Sequence, residues 1–139
     1  MRVIMLGTCS DSQWRDQLKN LVKNKDIDWF DPVVENWDPT DQLREFELRE
    51  KSGLIINVIT PLMSGIYSIA ELIDDSNKFG KKVVFCTLPS DTLNGRRHFW
   101  TEEAKSSFDM IAKMAENNGA VQCRSLEEIA TFLNTLKLG

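Results

Sequence analysis

One acidic side chain stands where chemistry could be done. In the run Pro61-Leu62-Met63-Ser64-Gly65-Ile66-Tyr67-Ser68-Ile69-Ala70-Glu71, a small-residue turn at Ser64 and Gly65 follows an apolar strand. Glu71 then falls within the first two turns of the helix that should come next. A glutamate on a helix is most often solvated. This one sits between Ala70 and Leu72 in an otherwise apolar stretch, and a carboxylate so placed could reach a ligand.

Other residues compete for a role. Gly7-Thr8-Cys9-Ser10 closes the first apolar run, and a glycine there lets a ligand approach while the following helix N-terminus offers N–H groups to an anion. A tight strand-to-helix turn is the plainer reading of Gly7. No G-x-G-x-x-G or G-K-[ST] pattern is present, so dinucleotide and triphosphate binding of the usual kinds finds no support. Asp31 ends the second run just before Pro32 and is a candidate proton donor, or an Asx-turn or helix cap. Asp11, Asp38 and Glu47 are further candidates for the acid. Trp37 offers a ring for stacking, or an anchor for a long loop. Arg15 could hold a phosphate or pair with an acid of the second helix. Arg96, Arg97 and His98 concentrate positive charge in one loop and could close over a phosphate. A Cys9 and His98 nucleophile pair would need a contact that the sequence does not dictate.

These side chains depend on a scaffold of alternating elements. Five short apolar runs read as strands: Val3 to Leu6, Asp28 to Phe30, Leu54 to Ile59, Val83 to Thr87 and Ala120 to Cys123. Trp14, Leu18, Leu21 and Val22 recur at helical spacing behind Ser10-Asp11-Ser12, which offers N-cap side chains. A second helix should start near Thr40-Asp41, carry Leu43 and Phe46 inward, and end near Ser52-Gly53. A third should start near Ser64-Gly65 with Ile66, Ile69, Ala70 and Ile73 on one face, and stop near Gly80. A fourth should run from about Thr101 to Asn118 with Gly119 as its cap, and a fifth should open on the capping box of Ser125 and Glu128.

Strand and helix alternation implies parallel strands with right-handed crossovers and helices on both faces. The expectation is a three-layer, flavodoxin-like α/β sandwich with strand order 2-1-3-4-5. Its ligand crevice should lie outside the carboxyl ends of the strands, beside strand 1. The turn after Gly7, the turn before Glu71 and the stretch after strand 2 converge there. The segment from Leu88 to Trp100 is long for a connection and reads as a loop of the lid kind.

Composition narrows the classes. The chain of 139 residues is long enough for a core of its own, and residues 1–139 read as one domain. A formal charge of −4 argues against a nucleic acid polymer as partner, since such binding rests on clustered Lys and Arg. Cys9, Cys86 and Cys123 form no C-x-x-C pair, and the one histidine, His98, makes a metal site improbable. The first apolar run is too short for a signal peptide or membrane span, so a cytoplasmic protein without membrane contact is expected.

The order of several local patterns resembles the nucleoside 2-deoxyribosyltransferase-like family over roughly residues 2 to 87. The patterns are the strand ending in Gly7, Trp14-Arg15 early in the first helix, Phe30-Asp31-Pro32 with Trp37 soon after, the Glu-rich helix around Glu47, the strand Leu54 to Ile59, and the turn leading to Glu71-Leu72. The resemblance implies an N-glycosidic cleavage in which Glu71 attacks the anomeric carbon of a 2-deoxyribosyl group and the base departs. A second group must protonate that base, and Asp31 is the leading candidate. Gly7, Thr8, Trp14, Arg15, Trp37, Glu47, Ser64, Gly65 and Ser68 would then contact the nucleoside or nucleotide. No cofactor is implied, and a homodimer or larger homo-oligomer is expected.

The chain departs from the transferases at three places. They carry an aspartate near the start of strand 3, another six residues before the glutamate, and a tyrosine at the end of strand 1. Here stand Gly53, Gly65 and no tyrosine. Related nucleotide N-hydrolases carry a serine near the second of these places, where Ser64 is one residue away and Ser68 lies one helical turn before Glu71. Transfer, hydrolysis, and non-catalytic binding of a nucleotide or NAD-derived ligand therefore all stand as expectations.

Overall fold

The computed structural model describes residues 1–9, 11–32 and 38–136. In chain order the elements are β1 (Arg2–Gly7), α1 (Trp14–Leu21), β2 (Asp28–Phe30), α2 (Pro39–Lys51), β3 (Leu54–Ile59) and α3 (Tyr67–Ser76). Then follow β4 (Lys82–Thr87), β5 (Ser90–Leu93), β6 (Arg96–Phe99), α4 (Glu102–Asn117), β7 (Val121–Gln122) and α5 (Leu126–Thr135). This is an α/β fold with a five-stranded parallel sheet in the order β2-β1-β3-β4-β7. That is the expected order once the two strands of an inserted hairpin are counted.

The central strands are apolar on both sides, as strands buried on both faces must be. All six residues of β3 are buried, and β1 buries Val3 to Leu6. Alternate side chains feed two clusters. Val3, Met5, Ile56, Val58 and Cys86 pack with Trp14 and Leu18 of α1 and with Ile129 and Leu133 of α5. Ile4, Leu6, Ile55 and Phe85 pack with Leu72 of α3 and with Ala112 and Ala115 of α4.

Gly7 is fixed by a close approach. Its φ is 125°, and an added Cβ would lie 1.9 Å from the Val58 carbonyl oxygen, a contact no side chain survives. Next to it Thr8 donates its N–H to Val58 (2.9 Å), while the Thr8 hydroxyl accepts from the Thr60 N–H (2.8 Å). The carboxyl ends of β1 and β3 are thereby stitched together.

Several expectations need correction. The segment from Leu88 to Trp100 is not a plain loop. It holds the antiparallel hairpin β5–β6, turned by Asn94 (φ 51°) and Gly95 (φ 75°), the pair of left-handed residues that tight hairpins favour. Helix α1 is capped by Gln13 without a side-chain bond; Ser12 instead donates to Asp91 of the hairpin at 2.5 Å. Helix α2 starts at Pro39 with Asp38 as cap, where Asp38 and Asp41 satisfy each other's N–H groups at 3.0 Å.

Leu43 and Phe46 do not face inward: they are 67% and 52% exposed, and the buried residue of α2 is Arg49. Helix α3 begins at Tyr67 and ends at Ser76, later and earlier than expected, with Ile66 before it 74% exposed. Its buried residues are Ser68, Glu71, Leu72, Asp75 and Ser76; Ile66 and Ala70 are exposed, Ile69 is half-buried, and Ile73 packs partly buried against the core. The physical reason lies in α2: Arg49 reaches the acids of α3, and that pairing turns a polar stripe inward on both helices. Among the described residues no helix is long and apolar enough to cross a membrane.

Candidate functional site

The carboxyl edge beside β1 is held by Arg15 and Trp14. Arg15 donates from Nε and Nη2 to the Met5 carbonyl (3.3 and 3.1 Å) and from Nη1 to the Thr8 carbonyl (2.6 Å). The Trp14 indole donates to the same Thr8 oxygen (2.8 Å), and the Arg15 guanidinium lies 4.5 Å from the Trp14 ring centre. Both side chains are buried. They satisfy the Met5 and Thr8 carbonyls, both beyond the last residue of β1 that pairs with β2. Arg15 also meets Asp31, with Nε 3.4 Å from Oδ1. The exposed Cys9 thiol donates to the Gly7 carbonyl at 3.3 Å, and desolvation holds it above its ordinary value against the pull of Arg15.

A second set of polar groups lies between α2 and α3. Arg49 forks onto Asp75, Nε to Oδ2 at 3.1 Å and Nη2 to Oδ1 at 2.8 Å, and Nη2 also donates to Asp74 (2.9 Å). Its Nε is 3.6 Å from Oε2 of Glu71. Burial alone would lower the Arg49 value, but Asp75, Glu71 and Asp74 together raise it, so the guanidinium stays charged. Burial raises Asp75, and the Arg49 fork opposes that shift. Lys78 braces the outer side through Glu50 (2.9 Å) and Asp74 (3.1 Å). Lys81 donates its ammonium to the carbonyls of Arg49, Glu50 and Ser52, closing the end of α2 where orphan carbonyls collect.

Glu71 lies at the centre of this set and is only 5% exposed. Desolvation, then a hydrogen bond and like charge from Glu45, push its carboxyl up to about 9, with Arg49 working against them. Among the described residues its Oε2 has no hydrogen-bond partner, and neither has Oδ1 of Asn57, a fully buried β3 side chain whose amide donates to the Ser68 carbonyl (3.0 Å). Glu45 also lines a shallow open cleft with Pro32, Asp41, Arg44 and Leu48.

The structure brings some of the expected residues together and not others. Asp31 stands beside Arg15, and Pro32 after it lines the cleft. Ser68 is buried on α3 one turn before Glu71. Glu47, Ser64 and Gly65 are exposed. Gly7, Thr8, Trp14 and Arg15 are engaged by the protein's own backbone. Trp37 and Ser10 lie outside the described residues. Among the described residues no group of three His, Cys, Asp or Glu side chains could hold a metal ion.

Glu45, Arg49 and Asp75 were not singled out from sequence. A signal existed, because residues 68, 71, 72, 75 and 76 follow helical spacing and are mostly polar, as is the stripe 41, 45, 48, 49 and 52 on α2. Two polar stripes, one carrying Arg49 and the other Glu71 and Asp75, are the sequence form of a buried ion-pair network. No known protein-family model matches this chain, and no curated protein matches it.

Proposed function

We propose that the protein cleaves the N-glycosidic bond of a nucleoside or nucleotide, with Glu71 as the nucleophile. The observation that carries this reading is the Glu71 carboxyl itself: buried on α3, the helix that follows β3, beside Arg49, with one oxygen free of hydrogen bonds among the described residues. In the reaction Glu71 attacks the anomeric carbon, the bond to nitrogen breaks, and the base leaves with a proton. Water or a second base then releases the sugar from the glutamyl ester. A buried carboxylate suits the oxocarbenium-like transition state because little solvent screens it.

The reading includes a flavodoxin-like three-layer arrangement, supported by the two apolar clusters that divide the helices between them. It also includes a cytoplasmic protein without cofactor that works as a homodimer or larger homo-oligomer. Exposed Leu43 and Phe46 on α2 and Ile66 and Tyr67 at the start of α3 suit such an assembly.

A second reading is a non-catalytic protein that binds a nucleotide or an NAD-derived ligand. The observation favouring it is the raised Glu71 value, since a carboxyl protonated at neutral pH does not attack carbon. Incubation with a panel of nucleosides and deoxynucleoside monophosphates, read by chromatography for free base, separates the two. The catalytic reading expects base release by wild type, a loss of at least about 10³-fold in Glu71→Ala, and ligand binding retained. Binding of a nucleotide without base release by wild type favours the second reading.

A further inference from the structure

We propose that Cys86 and Cys123 are a modification site: they form a reversible cross-strand disulfide that fastens β7 to β4, made by exchange with a small-molecule disulfide that enters at Cys123. The bond bears on the fold and does not depend on the glycosidase reading.

Strand register brings the two residues together. Val84 pairs with Val121 and Phe85 with Gln122, so the next step along both chains sets Cys86 opposite Cys123. The Cys123 N–H donates to the Phe85 carbonyl at 2.8 Å, which carries the register one residue past the end of β7. Alternation then puts both side chains on one face of the sheet. Val84, Cys86 and Cys123 belong to one apolar cluster, while Phe85 belongs to the other, and both thiols are free. Neighbouring strands lie about 4.8 Å apart. That is within the span of about 4.4–6.8 Å between the Cα atoms of a disulfide. The bond also draws its Cβ atoms to about 3.8 Å, closer than a regular ladder sets them. Cys123 supplies that approach, because it follows the last residue of β7 and its own strand no longer holds it.

Access to the two sulfurs is unequal. Cys86 lies on β4, between β3 and β7, and is 1% exposed; Cys123 is 6% exposed at the border of the sheet. A border strand of two residues, both exposed, opens more readily than the inner sheet. Burial pushes the Cys86 thiol up to about 12 and holds Cys123 above its ordinary value, so exchange waits on that opening.

The exchange balances. Cys123 loses its proton and its sulfur attacks one sulfur of the external disulfide, whose S–S bond breaks to release a thiolate. Cys86 then loses its proton and attacks the Cys123 sulfur of the mixed disulfide, which releases the second thiolate. Two protein thiols are oxidised, the external disulfide is reduced to two thiols, and the two protons end on the two leaving sulfurs.

The test uses folded Cys9→Ser protein, which lacks the exposed third thiol, incubated with 2-hydroxyethyl disulfide and alkylated after unfolding. Mass spectrometry should show a product about 2 Da lighter than the reduced chain that takes up no alkyl group, with dithiothreitol restoring both thiols. Peptides holding Cys86 and Cys123 should be joined. In Cys9→Ser/Cys86→Ser the reaction should stop at a mixed disulfide on Cys123, and in Cys9→Ser/Cys123→Ser the Cys86 thiol should stay free. Amide exchange at residues 120–123 should slow on the order of 10-fold or more in the bridged protein.

A mixed disulfide that persists on Cys123 beside a free Cys86 overturns the proposal, because the two sulfurs are then out of reach of each other. So does a folded protein that keeps both thiols while the same chain in guanidinium loses them. Modification of Cys86 without Cys123 overturns the point of entry, and faster exchange at residues 120–123 overturns the fastening of β7.

Discussion

At the scale of single residues, Glu71 makes stability depend on pH. Its value in the native protein, about 9, lies above the ordinary 4.5, so between these two the folded chain keeps a proton that the unfolded chain has released. Stability from this group is therefore fully present below the ordinary value and declines as pH rises to about 9. Thermal unfolding from pH 5 to 9 should show that decline in wild type and a flatter profile in Glu71→Gln. Equal slopes in the two proteins would refute the burial argument. Gly7→Ala meets both a left-handed φ and the Val58 carbonyl, and urea unfolding should show a loss on the order of 3 kcal/mol or more. Gly53 and Gly65 are different, for an added Cβ at either meets nothing within 4 Å. Gly53→Asp and Gly65→Asp should both fold, with stability within about 0.5 kcal/mol of wild type.

At the scale of elements, the join between α2 and α3 depends on one guanidinium. Arg49→Met leaves Asp75 and Glu71 buried without their cation, and chemical denaturation should show a loss of about 3–5 kcal/mol. Adding Asp75→Leu should recover much of it, because a buried ion pair replaced whole by apolar groups of similar size is often neutral. The hairpin β5–β6 gives a local counterpart. Ser12→Ala removes its bond to Asp91, and hydrogen exchange should quicken in residues 90–99 while the sheet amides keep their protection.

How far the sequence could be read follows from the same elements. Strands such as Leu54 to Ile59 are legible because a strand buried on both faces is apolar at nearly every position, here at all but Asn57. The inward faces of α2 and α3 are not, since an apolar stripe at helical spacing normally marks the core and here Leu43, Phe46 and Ile66 lie outside. Glu71 could be picked out by its apolar surroundings, but its partners Glu45 and Arg49 come from a helix more than 20 residues away, and only the fold brings them near. The hairpin carried a signal in Asn94-Gly95, which a reading of the segment by length alone passes over.

At the scale of the whole molecule, the sheet has a thick apolar centre and two brief margins. One border is β2, with three residues, and the other is β7, with two. A border strand exposes hydrogen-bonding groups to any passing chain, and the number it exposes grows with its length. Concentrated solutions of this protein should therefore resist the edge-to-edge growth that leads to fibrils, even though the interior strands are as apolar as those of many aggregating segments.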